Sequence, residues 1–468
     1  MDNKIAILVP GNSRYLIDSL KINGGIHPFR RKVYESINRI GFDCEYIGYD
    51  DLNKTTLSEY KTLFILNIIK LDAFKSKIIE EYINNGNNVI FTYKTDLSRK
   101  FGISQIGHYS QSKIMLRKKE MDYRTSNINS IFYKINRKYF KKSLPIEKFI
   151  SLPVIKINTD KNNKVLGIWK NSGLPALTIN DSCAGKVIYF SGILAGAAPM
   201  VLEYILSLIK SNDFKPLPFI PKNKKCCVTI FHDYEREYGN ISYGKYADKG
   251  LNFMLEAEKK YNIKVTFNTV GKICESHSES IRKIIQNGHE IASHTYGHEI
   301  PRKLSYEKLS KSIKLNMASI KKGVDINLAG FRSPESKWNQ NLIEILEKNN
   351  FSWNAEDENA SIPYHLVSDR KLRLVRMPIA CDDSPYISEK KSASEMLAKF
   401  KNIVEEGIKN RNFIAIGFHP WIQGMEEERL NTFEEFLSYL SSKDEVITMT
   451  FGEVCNWWNK RASLRNPQ

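Results

Sequence analysis

The sequence predicts an α/β protein of two domains, the second a parallel β/α barrel, and three observations predict it. Five polar clusters each stand at the C-terminal end of an apolar, strand-like run. Helix-like stretches separate those runs. A link carrying Pro216, Pro218 and Pro221 divides the chain near its middle. Barrel enzymes gather their chemistry at C-terminal strand ends, strand–helix alternation predicts a parallel sheet, and a proline-dense span reads as a semi-rigid boundary. The expected division is a first domain over 1–212, a linker over 213–222 and a second domain over 223–462.

In the first domain, Ile5 to Val9 reads as a buried strand, Lys32 to Ile40 as a helix, and Cys44 to Ile47 and Thr62 to Leu66 as strands. Phe74 to Asn84 is a helix stopped by Asn85-Gly86, and Val89 to Tyr93 the next strand. A β-rich stretch follows at Ile150 to Ile157, Val165 to Trp169, Ala176 to Ile179 and Lys186 to Ser191, and the helix Pro199 to Lys210 closes the domain. Within Ile188 to Ile209 the single charge is Glu203, yet Gly192, Gly196 and Pro199 break the run, so it reads as strand, loop and helix, not a membrane span. The layout resembles a flavodoxin-like, open parallel sheet domain of the class I glutamine-amidotransferase-like kind. No cysteine follows Val89 to Tyr93, where that family places its nucleophile. The resemblance therefore implies a catalytically silent domain for scaffolding, ligand binding or homo-oligomer formation.

In the second domain, Cys227 to Phe231 is a buried strand running into His232-Asp233-Tyr234-Glu235. Buried carboxylates at a strand end are costly unless paired or metal-bound. Ala247 to Tyr261 is helical, Val265 to Val270 a strand, and Ser278 to Gln286 a helix stopped by Asn287-Gly288. Then comes His294-Thr295-Tyr296-Gly297-His298, with two imidazoles four residues apart. Neutral imidazole is the commonest metal-binding side chain. Leu304 to Lys321 is a helix, Gly330-Phe331-Arg332-Ser333-Pro334 a strand end, Asn341 to Asn349 a helix, and Phe351 to Asp357 a strand carrying Trp353, Asn354 and Glu356. Leu374 to Ile379 is a strand ending in Asp382 and Asp383, read as possible substrate contacts. Ser394 to Lys409 and Asn431 to Leu440 are helices, Phe413 to Phe418 a strand delivering His419, and Val446 to Phe451 the last strand.

These motifs resemble the polysaccharide deacetylases with a NodB homology domain (carbohydrate esterase family 4), over roughly residues 222 to 460. The second motif of that family matches at His294-Thr295-Tyr296-Gly297-His298, the third at Arg332-Ser333-Pro334 and the last at Gly417-Phe418-His419. The resemblance implies a distorted (β/α) barrel, one divalent metal ion and a carbohydrate substrate. The first motif departs from the usual adjacent aspartates. In one alignment Asp233 is the ligand and His232 the base; in the other Asp233 is the base and Glu235 the ligand. Strand periodicity puts Asp233 and Glu235 on one face and His232 on the other, which favours the second, with Asp233 in the site either way. The fourth motif is also altered: Asn354 and Glu356 stand where an aspartate would support Arg332.

The implied chemistry is metal-assisted hydrolysis of an acetamide. Glu235 or Asp233 with His294 and His298 would hold the ion, and such a set accepts zinc first, with cobalt, manganese or iron also possible. Asp233 would take the proton of water, Arg332 would hold Asp233 ionised, and His419 would protonate the leaving amine. Pro334, Glu356, Trp338, Trp353 and Trp421 are the candidate substrate contacts, the tryptophans as flat faces for sugar rings.

Composition fits a soluble protein with proper cores: 468 residues, 42% hydrophobic. The formal charge of +18 would favour anionic substrates such as nucleotide- or phospholipid-linked sugars, although a lysine, asparagine and isoleucine bias accounts for it more simply. Lys113 to Arg124 and Tyr133 to Lys142 read as solvated basic faces, and no nucleic-acid motif is present. Seven cysteines, without zinc-like spacing, and a strand beginning at once with no visible signal peptide give the expectation of a reducing, cytoplasmic setting. Three functions remain open: an N-deacetylase of an acetamido sugar, the same metal site acting on an acetyl ester or non-sugar amide, and an inactive carbohydrate-binding scaffold.

Overall fold

The structure is a computed structural model. It describes residues 4–9, 28–66, 71–93, 95–111, 113–116, 119–122, 152–170, 172–192, 194, 199–238, 241–358, 360–367 and 371–461. Two compact units emerge, Met1–Leu217 with Leu366–Lys371, and Pro218–His365 with Leu372–Gln468. The division falls inside the proline-rich link.

In the first unit, β1 (Lys4–Val9), β2 (Asp43–Gly48), β3 (Thr62–Leu66) and β4 (Asn88–Thr92) are short runs with almost every side chain buried. Continuous burial is the mark of parallel strands covered on both faces. Four further strands follow: β5 (Ile103–Gln111), β6 (Lys113–Leu116), β7 (Lys119–Asp122) and β8 (Leu152–Thr159). After these come β9 (Asn163–Trp169), β10 (Pro175–Asn180) and β11 (Val187–Phe190). The main sheet has the order β2-β1-β3-β4-β11-β10-β9-β6-β7, and β5 pairs with β8 apart from it. Strands β2, β1, β3, β4 and β11 are parallel, in the flavodoxin-like order. The expected open parallel sheet is present in these five strands. Strands β10, β9, β6 and β7 extend it antiparallel. Within Lys113 to Arg124, expected as a solvated basic face, β6 and β7 pair with each other antiparallel, and the other basic stretch, 133–142, lies outside the described residues. The short lysine-bearing runs of β6 and β7 give no apolar alternation that would announce them. Tyr93, directly after β4, adopts left-handed backbone with φ +60.

In the second unit, β12 (Cys226–Tyr234) is buried along its whole length. A hairpin, β13 (Glu237–Tyr238) and β14 (Ile241–Ser242), follows. Next come β15 (Thr266–Thr269), β16 (Glu290–Ser293), β17 (Gly330–Arg332) and β18 (Trp353–Asp357). The remaining strands are β19 (Tyr364–Val367), β20 (Lys371–Ile379), β21 (Phe413–Phe418) and β22 (Val446–Thr448). The order is β19-β20-β18-β17-β16-β15-β12-β21, with β22 also on β12. Pairing from β20 round to β21 is parallel. The ring closes between β20 and β21 through one parallel bridge, Cys381 with Ile416, and the bonds Ala380 N to Ala415 O (2.9 Å) and Gly417 N to Cys381 O (2.9 Å). The result is a distorted barrel whose closure is thin on one side.

The expected helices are present with shifted ends, among them Gly244–Lys260, Tyr306–Val324 and Ala393–Asn410. One expectation fails at the C-terminal end. The last strand stops at Thr448, and Phe451 opens a helix, Phe451–Lys460, instead of finishing a strand. Thr450 caps that helix in a reciprocal pair with Glu453, a capping box whose Thr-x-x-Glu pattern stands in the sequence.

Candidate active site

Strand β12 delivers Asp233 near its end and Glu235 one residue beyond it, and strand alternation sends both to the same side. His232 goes to the other. It is fully buried, its Nε2 bonded to the buried Glu258 of the helix Gly244–Lys260, with Phe267, Phe418 and Phe433 edge-on around its ring. His289 Nε2 stands 3.3 Å from the other oxygen of Glu258. His232 therefore belongs to a buried polar cluster between sheet and helix and is no base. Of the two alignments, the geometry fits the one with Asp233 as base and Glu235 as ligand.

His294 and His298 do not lie on a helix. They bracket a loop after β16 in which Thr295 (φ +63) and His298 (φ +64) adopt left-handed backbone. Such conformations persist in non-glycine residues only where surroundings enforce them. Here Asn316 of the helix Tyr306–Val324 donates to Thr269 O (3.0 Å) and Thr295 O (2.6 Å), and Ser312 accepts from Tyr296 N (3.1 Å). The loop folds back until the two imidazole centroids are 5.1 Å apart. His294 Nδ1 donates to Arg332 O at 3.0 Å, which fixes the tautomer and leaves the Nε2 lone pair facing the site.

Glu235 Oε1 meets this pair, 3.2 Å from His298 Nε2 and 3.7 Å from His294 Nε2. The second distance is too long for a hydrogen bond. His294 Nε2 and Glu235 Oε2 are buried with no hydrogen-bond partner among the described residues. Two imidazoles and a carboxylate, with ligand atoms all within 4.8 Å of one another, suit a divalent cation. Burial alone would push the Glu235 carboxyl up, but the two imidazoles outweigh it and hold it well below the usual range. His298 moves the opposite way: burial opposes its protonation, and Glu235 overrides that.

Asp233 is spoken for by other groups. Arg332, carried at the end of β17, directs Nε at both of its oxygens, 2.9 and 3.2 Å away. Asn268 of β15 donates to Oδ1 at 2.8 Å. Its Oδ2 lies 4.0 Å from His294 Nε2 and 3.7 Å from His419 Nε2. Burial raises the Asp233 carboxyl, and Arg332 followed by the two imidazoles brings it below the ordinary aspartate range. It is thus a carboxylate held ionised beside the candidate metal ligands.

His419 follows β21, and its Nδ1 donates to Asp383 Oδ1 at 2.6 Å. Asp383 is fully buried and also accepts from His419 N (2.9 Å) and Gln423 Nε2 (2.6 Å). Burial disfavours the imidazolium, yet Asp383, with Glu235 and Asp233 behind it, pushes the imidazole up to about 10. His419 Nε2, 3.7 Å from Glu235 Oε1, faces the cluster as a proton donor. A cavity of about 500 Å³ is lined by Asp357, Ile379, Cys381, Asp382, Ser384 and Lys399 among others, and none of Asp233, Glu235, His294, His298 or His419 lines it. Asp382 joins the two, its Oδ2 3.9 Å from Arg332 Nη2.

The expected substrate contacts need correction. Trp353 is fully buried, its ring 4.8 Å from that of Phe451 and its Nε1 bonded to Glu290. It is a core residue, because it starts its strand at the closed end of the barrel. Trp353→Ala is expected to cost about 3–5 kcal/mol, as for other large buried aromatics, in a urea-unfolding measurement. An unchanged midpoint would contradict this placement. Trp338 is buried with the Arg376 guanidinium 4.1 Å over its face. Trp421 is buried, stacked on Tyr243 at 4.4 Å, with its centroid 6.2 Å from His419, so it walls that imidazole and offers no open face. Pro334 is buried in its turn. Glu356 is fully buried and accepts from Ser333 Oγ and Asn354 Nδ2, and among the described residues it does not hydrogen-bond Arg332. Burial pushes its carboxyl up to about 7 against the pull of Arg376 and Arg332.

Asp383, expected from its strand-end position to touch substrate, instead serves His419. Three residues of the site carry no strong mark in the sequence: Asn268, Gln423, and Ser336, which accepts from Arg332 Nη1 at 2.6 Å. For Asn268 there is a weak signal, since an amide near the end of the strand-like run 265–270 obeys the same strand-end rule as the histidines.

Residues 237–353 match the family model of polysaccharide deacetylase. The chain is 26% identical over 186 residues to protein YlxY of Bacillus subtilis (strain 168), covering 40% of this chain and 55% of that one. It is 27% identical over 115 residues to the peptidoglycan deacetylase of Helicobacter pylori (strain ATCC 700392 / 26695), covering 24% and 39%. The matched segment thus spans about half the length, or less, of these curated relatives. Among solved structures, a polysaccharide deacetylase from Mycobacterium smegmatis superposes with a TM-score of 0.48 at 20% identity, over 54% of this chain and 96% of that chain. The C-terminal region thus carries a match to the polysaccharide deacetylase domain, on the very segment that holds the histidine loop and Arg332.

Proposed function

We propose that the protein is a metal-dependent hydrolase that removes the N-acetyl group of an acetamido sugar, in a glycan or a glycan precursor. The observation that carries this is the juxtaposition of Glu235, His294 and His298 with two separately held proton-transfer groups, Asp233 on Arg332 and His419 on Asp383. Glu235, His294 and His298 would hold a divalent ion, zinc being the first candidate for such donors. When bound, that ion supplies Lewis-acid chemistry, polarising an acyl carbonyl and making water more acidic.

The chain's own groups supply the proton transfers. Asp233, kept ionised by Arg332, accepts a proton from the attacking water. His419 gives its Nε2 proton to the departing amine nitrogen, which otherwise leaves poorly. Asp383 orients that imidazole and stabilises its protonated form. The cavity beside Asp382 offers room for a sugar ring, and its carboxylates can accept hydroxyl hydrogens. The proposed setting is the reducing cytoplasm and, with it, the proposed substrate is a precursor over finished wall polymer. The first unit serves as a non-catalytic scaffold in this reading.

The test is metal content together with product release from a panel of N-acetylglucosamine oligomers, acetyl esters and cyclic amides. About one metal ion per chain with acetate freed from the oligomers supports the proposal. Turnover confined to an ester or a cyclic amide would replace the sugar N-deacetylase by that hydrolase. Metal bound without turnover of any member would favour a binding protein.

A further inference from the structure

We infer that Ser336 is a positioning residue for Arg332, its hydroxyl setting the guanidinium that in turn holds Asp233; the inference rests on the hydrolase reading of the site. Arg332 is buried, 2% exposed, and packs its Cζ 5.0 Å from the Phe231 ring centre. Its Nε is committed to Asp233. A single hydrogen bond to the outer end of the fork orients the rest of the group among the described residues, from Nη1 to Ser336 Oγ at 2.6 Å. The nearest other carboxylate, Asp382, stands 3.9 Å from Nη2, and Glu356 is occupied with Ser333 and Asn354.

The backbone at Ser336 is the second observation. Glu335 (φ +55) and Ser336 (φ +49) are consecutive left-handed residues, a conformation that glycine adopts freely and other residues reach only under constraint. Glycine would be the unstrained choice at either position. What serine offers over glycine at 336 is a hydroxyl, and that hydroxyl accepts from Arg332 and also from Asp357 N at 3.3 Å. The turn is anchored from outside: Ser336 N bonds Ser333 O (3.0 Å), and Arg302 N bonds Lys337 O (2.9 Å). Asn339 Nδ2 bonds Pro301 O at 3.1 Å. These contacts tie the turn to the chain that continues from the His294–His298 loop, so the Oγ is fixed relative to the candidate ligands.

Three variants separate the hydroxyl from the turn geometry: Ser336→Ala, Ser336→Gly and Ser336→Asn, each assayed in the full chain for metal content, thermal midpoint, kcat and KM. Ala and Gly are both expected to lower kcat by about 10–100-fold, the usual effect of removing a group that orients a reacting one, with KM and metal content little changed. The Gly variant is expected to melt no lower than the Ala variant, because it relieves the left-handed strain. Asparagine tolerates that backbone and brings a carbonyl acceptor, so it should recover much of kcat. Wild-type turnover in Ser336→Gly would overturn the inference, since the position would then supply only a turn.

If the wild type hydrolyses none of the panel, the hydrolase reading fails, and the contact is judged separately from thermal midpoints. Ser336→Ala should lower the midpoint more in the wild-type background than in Arg332→Met, where only the bond from Asp357 N remains to be lost. Equal losses in both backgrounds would overturn the contact itself.

Discussion

His294→Ala is expected to abolish both metal retention and hydrolysis. The imidazole is fully buried, and its Nδ1 is already engaged with Arg332 O, so its Nε2 has the site as its remaining outlet. Its loss leaves one imidazole and one carboxylate, below the three protein ligands that a catalytic site keeps. Metal per chain, measured by elemental analysis after dialysis, should fall from about one towards zero. The rate should drop by roughly a thousandfold or more, about 4 kcal/mol of transition-state stabilisation. The fold should survive, because Asn316 and Ser312 still hold the loop when the imidazole's bond to Arg332 O is lost. Full metal content and full rate in this variant would remove the candidate centre from consideration.

Asp383→Asn is expected to give the second largest effect, and it acts through the pH profile. A general acid works only while protonated, so a raised pKa carries activity to higher pH. Asp383 is the foremost influence raising His419 to about 10. A divalent cation beside the imidazole would pull that value down again, so the alkaline limb of the metal-loaded enzyme should fall below it. Replacing the carboxylate by a neutral amide removes the main support of the imidazolium, and the alkaline limb of kcat/KM should move to lower pH. The amide can also present its NH₂ to Nδ1 and favour the wrong tautomer, so kcat should fall by about 10²–10⁴. Gln423 and His419 N would keep the residue in place, leaving the melting temperature close to wild type. An unshifted alkaline limb with wild-type kcat would exclude His419 as the acid.

Several parts of the site are legible in the amino-acid sequence alone. Asp233, Glu235, His294, His298, Arg332 and His419 all follow short apolar runs, and strand periodicity separates His232 from its neighbours. That separation holds because β12 keeps its two-residue alternation through Glu235, sending His232 to Glu258 and the helix layer. The aromatic contacts are not legible. Whether Trp353 faces a ligand or the core depends on which end of the strand it occupies and on Phe451, 98 positions away in the sequence. The role of Asp383 is hidden for a similar reason. It reaches His419 because β20 and β21 meet at the Cys381–Ile416 bridge, a closure no local pattern announces. Strands β6 and β7 are hidden because their lysines and short length give no apolar alternation to count.

By itself the sequence determined the parallel β/α character of the second unit, the division near the prolines and the ligand and base candidates at the strand ends. These follow from chain-local rules, side-chain periodicity and the geometry of strand termini, which any register of the barrel preserves. Only the tertiary structure decided that Asp383 orients His419, that Asn268 and Ser336 flank the Asp233–Arg332 pair, that three tryptophans are buried, and that the first sheet turns antiparallel halfway across. Those outcomes depend on which distant segments pack together, and packing is fixed by the mutual burial of surfaces that are far apart along the chain.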